Sequence, residues 1–209
     1  MKIIVFGATG RTGQLVVRQS LEKGYQVVAF TRSPQKLALD GADLAIFEGD
    51  IQDAPQVSAA IEGTDAVIST LGPRDNRQQY VITSGMENIL LGMKQHGVSR
   101  LIMTTGAGVG DPNDKPGLFD KLMNLLLGII SRNVYLDMAK TSELVRKSDV
   151  DWTIVRAPML TDGPESGEIK AAWVGKGLGM RISRKDLASF IVAQLNDGIY
   201  LHQAPAVSN

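Results

Sequence analysis

Gly7-Ala8-Thr9-Gly10-Arg11-Thr12-Gly13 is the stretch that decides how this 209-residue chain is read. It follows Lys2-Ile3-Ile4-Val5-Phe6, a run bulky and β-branched enough for a buried parallel strand. It opens an amphipathic segment, Thr12 to Lys23, in which Leu15, Val16, Gln19 and Ser20 recur at helical spacing. After Gly24-Tyr25 comes a second apolar strand, Gln26-Val27-Val28-Ala29-Phe30. The first thirty residues therefore form a βαβ unit with glycines at its first strand-to-helix joint. A pyrophosphate can approach backbone N–H groups at the positive end of a helix only where side chains do not block it. The spacing here, Gly-x-x-Gly-x-x-Gly, departs from the common Gly-x-Gly-x-x-Gly fingerprint, yet it lies in the strand–turn–helix context that fingerprint requires. A merely tight βα turn is the competing reading, and that context argues against it.

Working outward, short apolar runs alternate with helical patterns along the rest of the chain. Leu44-Ala45-Ile46-Phe47 reads as strand three, Asp65 to Thr70 as strand four, Arg100 to Thr105 as strand five and Trp152 to Arg156 as strand six. Helices are expected over Ala54–Ile61, Gln78–His96, from Leu118, and over Tyr135–Lys147. A further strand is expected over Ile169–Val174, and a helix after Ser183, where Asp186 stands three residues on as in a capping box. Strands separated by helices give an α/β fold. It is a doubly wound, mostly parallel sheet in three layers, α/β/α, with the ligand cleft at the carboxyl ends of the strands. We read residues 1–209 as one domain, which suits the length.

Composition narrows the chemistry. Lys+Arg and Asp+Glu both number 22, so net charge is zero, and neither nucleic acid nor an anionic membrane is an expected partner. The absence of cysteine removes disulfides and thiol nucleophiles and points to a reducing cytoplasm. With only His96 and His202, no metal site is expected. Met1-Lys2 leads straight into a strand, with no room for a signal peptide, and the apolar run over Leu122–Ile130 is too short to span a bilayer.

The ends of the strands carry the candidate site. Folds that prefer NAD place an acid after strand two for the ribose 2′-hydroxyl. This chain has Thr31-Arg32-Ser33-Pro34 instead, and Arg32 is suited to a 2′-phosphate, so NADP(H) is the expected cofactor. Arg11, inside the glycine turn, could reach the same phosphate from the other side. After strand three, Asp50 can accept a hydrogen bond from an adenine amine while Ile51 packs on the ring; a helix-capping aspartate is the plainer alternative. After strand four, Leu71-Gly72-Pro73 offers bare backbone for ribose and phosphates, or simply makes a turn. Leu118, Phe119, Leu122, Met123, Leu125, Leu126, Ile129 and Ile130 cover too much of one helix for a single buried stripe. That helix either packs against the sheet edge or lends part of its surface to an apolar cleft or a partner interface.

GATGRTG, TRSP, GD, TLGP and TTGAG after strands one to five, together with SDVDWTIVRAPMLTDGP, carry a resemblance. The chain is similar to the atypical short-chain dehydrogenase/reductase superfamily, and within it to the small NAD(P)H-binding branch that includes biliverdin-IXβ reductase, also called flavin reductase. The resemblance implies a Rossmann-like fold that binds NADPH through Gly7, Thr9, Gly10, Arg11, Thr12, Gly13 and Arg32. It also implies that Thr105 lines the nicotinamide and substrate pocket.

Two departures shape the expected function. The superfamily's usual Tyr-x-x-x-Lys pair is missing, because Tyr135 and Lys140 are five residues apart and sit roughly 140° apart on a regular helix. Met159 stands where biliverdin-IXβ reductase has a histidine after the proline that follows strand six. Thr105 and Tyr135 are the candidate catalytic residues. The expected activity is an NADPH-dependent oxidoreductase passing hydride to a small conjugated acceptor, a flavin or quinone, as a monomer or weak homo-oligomer. The alternatives are a non-catalytic NADP(H)-binding redox sensor and, more weakly, a sugar-nucleotide epimerase or dehydratase.

Overall fold

In the computed structural model, residues 1–72, 80–117 and 131–209 are described. Pro73, the start of the helix expected from Gln78, and the apolar segment 118–130 lie outside them. The central sheet has eight strands in the order β3-β2-β1-β4-β5-β6-β10-β8. They are β1 (Lys2–Phe6), β2 (Gln26–Thr31), β3 (Leu44–Glu48), β4 (Ala66–Ser69), β5 (Arg100–Gly106), β6 (Asp151–Ala157), β8 (Lys170–Ala172) and β10 (Ala206–Ser208). All pairings are parallel except β10 with β8. Two three-residue strands, β7 (Met159–Thr161) and β9 (Arg181–Ser183), pair separately. The helices are α1 (Arg11–Glu22), α2 (Ala54–Ile61), α3 (Val81–His96), α4 (Arg132–Arg146) and α5 (Arg184–Ala193).

Alternation along β1 shows why these runs form central strands. Ile3 and Val5 point to one face, where they pack with Val16 and Val17 of α1 and Ile191 of α5. Ile4 and Phe6 point to the other, against Val57 of α2 and Met86, Ile89 and Met93 of α3. A strand buried on both faces needs apolar residues at every position, which is what Ile3-Ile4-Val5-Phe6 supplies. Each such side chain stabilises the fold by about 1.5–3 kcal/mol relative to exposure. The two clusters are the two interlayer cores of an α/β/α sandwich, the Rossmann-like arrangement expected.

The C-terminal third differs from expectation. The strand expected over 169–174 shortens to Lys170–Ala172 and runs antiparallel to β10. β10 inserts beside β6, extending the sheet past its sixth strand. Helix α5 starts where expected: the Ser183 hydroxyl accepts from the Asp186 N–H (3.0 Å) and donates to Asp186 Oδ2 (2.7 Å). The Asp186 carboxylate also takes N–H groups from Ser166 and Gly167, pinning the loop before β8.

Candidate functional site

The glycine turn joins β1 to α1 with its backbone folded tightly on itself. Gly7 has φ +82, a left-handed conformation that glycine adopts without strain. The Gly10 N–H donates to the Gly7 carbonyl at 2.9 Å. A Cβ on Gly13 would fall 2.1 Å from that same carbonyl oxygen, so only glycine lets α1 pack this close to the turn. Gly10 is the N-cap of α1, no side chain caps it, and the first turn holds no acid. By contrast, α2 is capped by Asp53, α5 by Ser183, and Asp137 fills the start of α3. The N–H groups of α1 are thus left for an anion.

A cleft of about 520 Å³ opens over this turn at the carboxyl ends of the strands. One end is walled by Phe30, Thr31 and Arg32 from the end of β2, by Lys36, and by Gly49 and Ile51 after β3. Thr31 is fixed there: its hydroxyl lies 3.2 Å from that of Thr9 and accepts the Ser33 N–H at 3.0 Å. Ile51 is buried against α3, and its carbonyl accepts from Asn88 Nδ2 at 2.9 Å. Arg32 is half-exposed, with Nη1 3.9 Å from Asp50 Oδ2. Lys36 brings a second cation to the same end.

The other end is walled by Thr70, Leu71 and Gly72 after β4, and by Tyr80, Val81, Ile82 and Asp137. Asp137 projects from α4 and is buried. Its carboxylate accepts the N–H groups of Ile82 (3.1 Å) and Thr83 (2.9 Å) and the Thr83 hydroxyl (2.6 Å). A residue of α4 therefore caps α3 from outside, locking the two helices together beside the cleft.

Behind this end lies a buried ion pair built from the TIVRAP segment. The Arg156 guanidinium is fully buried and bidentate on Asp114, at 2.6 and 2.7 Å, with Val109 and Ala204 carbonyls each taking one further N–H group. Asp114 also accepts the N–H groups of Asp111 and Val174. Burial alone would raise the Asp114 carboxyl. The bonds from Arg156, from these two backbone N–H groups and the guanidinium charge outweigh it and hold the group below its ordinary value. Arg156 and Asp114 fix the loop that follows Thr105.

Of the residues expected at the site, Gly7, Thr9, Gly10, Arg32, Ile51, Leu71 and Gly72 share the cleft wall. Thr12 and Gly13 sit behind the turn in the first turn of α1. Four are placed differently. Arg11 turns away from the cleft to Asp162, at 2.9 Å, because the first residue of a helix leans outward over its N-terminus and a carboxylate waits there. Asp50 faces Arg32 and the Gln52 N–H instead of the cleft, while Asp53 does the capping of α2. Tyr135 is 37 % exposed and off the wall, since α4 already begins at Arg132; Tyr135 and Lys140 thus lie on one regular helix, out of register as a dyad. Thr105 is buried and is not on the cleft wall; it follows Leu101 and Met103 on the α3 side of β5, and its hydroxyl has no hydrogen-bond partner among the described residues. Lys36, Tyr80 and Asp137 are wall residues that sequence reasoning missed. Lys36 could have been found from its place just past Arg32; Tyr80 and Asp137 depend on how two helices meet. Among the described residues no cluster of His, Asp and Glu could hold a metal ion, and no helix is long and apolar enough to cross a membrane.

The cleft and its uncapped helix fit a dinucleotide, and comparison with known proteins agrees. The chain is 27 % identical over 216 residues to the oxidoreductase aflX of Aspergillus parasiticus, covering 94 % of this chain and 79 % of that protein. It spans 32 % to 79 % of the length of the curated relatives it matches, and 62 % of one from Arabidopsis thaliana. A short-chain dehydrogenase/reductase of Veillonella parvula in complex with NADP superposes with a TM-score of 0.80 at 18 % identity, covering 100 % of this chain and 94 % of the other. ChuY, an anaerobillin reductase of Escherichia coli O157:H7, does so with a TM-score of 0.78 at 22 % identity, covering 100 % and 97 %. At these identities the two structures speak for the fold. Residues 7–198 match the family described as NAD(P)H-binding, and the chain belongs to that family.

Proposed function

We propose that the chain is an NADPH-dependent reductase that passes hydride to a flat conjugated acceptor such as a flavin or quinone. The observation that carries the cofactor choice is the pairing of Arg32 and Lys36 on one cleft wall, at the end of β2 where an acid would select NAD. Gly7, Thr9, Gly10 and the first N–H groups of α1 (Arg11, Thr12, Gly13) would hold the pyrophosphate. Ile51 and Phe30 would flank the adenine, Arg32 and Lys36 the 2′-phosphate, and Leu71 and Gly72 the ribose. The unpartnered Thr105 hydroxyl would receive a polar atom of the nicotinamide end. When bound, the cofactor supplies the hydride; the protein orients the two reactants and excludes water.

The missing pair in α4 supports a conjugated acceptor. Carbonyl reductases of the short-chain type take their proton from a Tyr-x-x-x-Lys pair on one helix, and α4 carries none. Flavins and quinones spread the incoming charge over a ring system. The Escherichia coli protein of similar fold is itself named a reductase. We place this activity in one cytoplasmic domain acting as a monomer or weak homo-oligomer. The same missing pair favours a second reading, an NADP(H)-binding redox sensor without turnover. A stopped-flow screen of NADPH oxidation against flavins, quinones and small carbonyls decides between them. Consumption with flavins or quinones supports the reductase; binding of NADP⁺ and NADPH with no turnover on the whole panel supports the sensor.

A further inference from the structure

Tyr80 is one of only two non-glycine residues with positive φ among the described residues, at φ 47. An L-residue with a bulky side chain stays in the left-handed region only where its surroundings over-determine it, and such strain gathers at functional sites. Three features hold Tyr80 there. It is the N-cap of α3, so its backbone must bend into that helix. The N–H groups of Ile82 and Thr83 just beyond it are clamped by the buried Asp137 carboxylate. One helical step past Asp137, at i+3, Lys140 places its ammonium over the Tyr80 ring, 5.0 Å from the centroid. Tyr80 lines the cleft.

We propose that Tyr80 and Lys140 form a split tyrosine–lysine pair, assembled from α3 and α4, that delivers the proton to the reduced acceptor. This rests on the reductase reading above and supplies the proton donor that α4 alone lacks. As hydride from the reduced nicotinamide adds to a quinone or flavin, the Tyr80 O–H bond breaks and an O–H or N–H bond forms on the acceptor. The phenolate left behind lies under the Lys140 ammonium and recovers its proton from water. The nicotinamide loses two electrons, the acceptor gains two, and one solvent proton is consumed. Tyr80 is the catalytic residue and Lys140 the positioning one. Asp137, by clamping the start of α3, sets the distance between them.

The test uses 1,4-naphthoquinone as the acceptor, with Tyr80→Phe, Tyr135→Phe and Lys140→Gln compared with the wild type. Tyr80→Phe keeps the ring, and with it the contact with Lys140. Its kcat/KM should fall at least tenfold, toward the 10²–10⁴-fold that general acid catalysis is typically worth, and Tyr135→Phe should lose less than tenfold. Lys140→Gln should displace the alkaline limb of the kcat/KM pH profile, and Tyr80→Phe should abolish that limb. Calorimetry on the NADP⁺-loaded protein gives a readout free of turnover. Tyr80→Phe should bind naphthoquinone about three- to tenfold more weakly, the loss of one hydrogen bond, with NADP⁺ affinity unchanged. If Tyr80→Phe keeps kcat/KM within threefold while the wild type turns over, the pair is overturned and the reductase stands. If it weakens NADP⁺ itself by the same factor, Tyr80 is a cofactor contact and the pair is likewise overturned. A wild type that consumes no NADPH overturns both.

Discussion

Replacing Asp114 with alanine should cost far more stability than its place in a surface loop suggests. Arg156 is fully buried, and among the described residues Asp114 is the only carboxylate bonded to it, through two bonds of 2.6 and 2.7 Å. Removing one member of such a pair strands a charge in the interior, at about 3–5 kcal/mol. It also leaves the Asp111 and Val174 N–H groups without their acceptor. For a chain of this size, a loss of that order lowers Tm by roughly 6–20 °C. Urea denaturation and a thermal scan measure it directly. A second arm removes both charges: in Asp114→Leu with Arg156→Met no charge is stranded, so the double variant should be more stable than Asp114→Ala. The sign with pH is set by the depressed Asp114 carboxyl. Its contribution is complete above the ordinary value of 3.8 and is lost as pH falls through the folded-state value below it. The gap between wild type and Asp114→Ala should therefore be constant at neutral pH and close in acid. A loss under about 1 kcal/mol at pH 7, or a gap that widens in acid, would refute the reasoning.

Three further outcomes are expected. Arg32→Ala should weaken NADPH about ten- to a hundred-fold, the loss of a charge-assisted bond of roughly 1.5–3 kcal/mol, and leave NADH nearly unchanged; equal calorimetric affinities of the unaltered protein for both cofactors would count against it. Gly13→Ala, whose methyl would lie 2.1 Å from the Gly7 carbonyl, should open the turn and abolish cofactor binding, read by NADPH fluorescence on protein shown folded by circular dichroism. Thr105→Val should reduce kcat/KM only moderately, less than about tenfold, because it removes a polar contact and leaves the proton source in place.

The βαβ start and the mostly parallel sheet were legible because β1, β2, β4, β5 and β6 are buried on both faces, and such strands write themselves as apolar runs. The three-residue strands β7, β9 and β10 were not, since three residues are too few to show a period of two. The cleft wall was legible where a strand end places a residue directly, as at Gly7, Arg32 and Leu71. It failed wherever a partner distant in sequence decides a side chain's direction. Arg11 is drawn off by a carboxylate 151 residues away, and the Arg156 of the TIVRAP segment is a structural pin. Tyr80 left no mark, because its conformation comes from α4 holding the start of α3 from outside. The helix expected from Tyr135 begins three residues earlier, at Arg132, which leaves the tyrosine and lysine of α4 on different faces.

Asp162 holds two arginines, Arg11 at 2.9 Å and Arg184 at 2.6 Å, and one carboxylate neutralises only one of them. This cluster beside the glycine turn therefore carries one surplus positive charge, with the Arg11 and Asp162 side chains 71 % and 65 % exposed. A charge so placed adds little to the depth of a binding well but acts on an approaching polyanion from several ångströms away. Its reach is a Debye length, about 8 Å at physiological ionic strength, and contracts as salt is added. The encounter rate of a phosphorylated dinucleotide with this cleft should thus fall steeply with ionic strength, while its dwell time, set by the enclosed contacts of the turn, changes little.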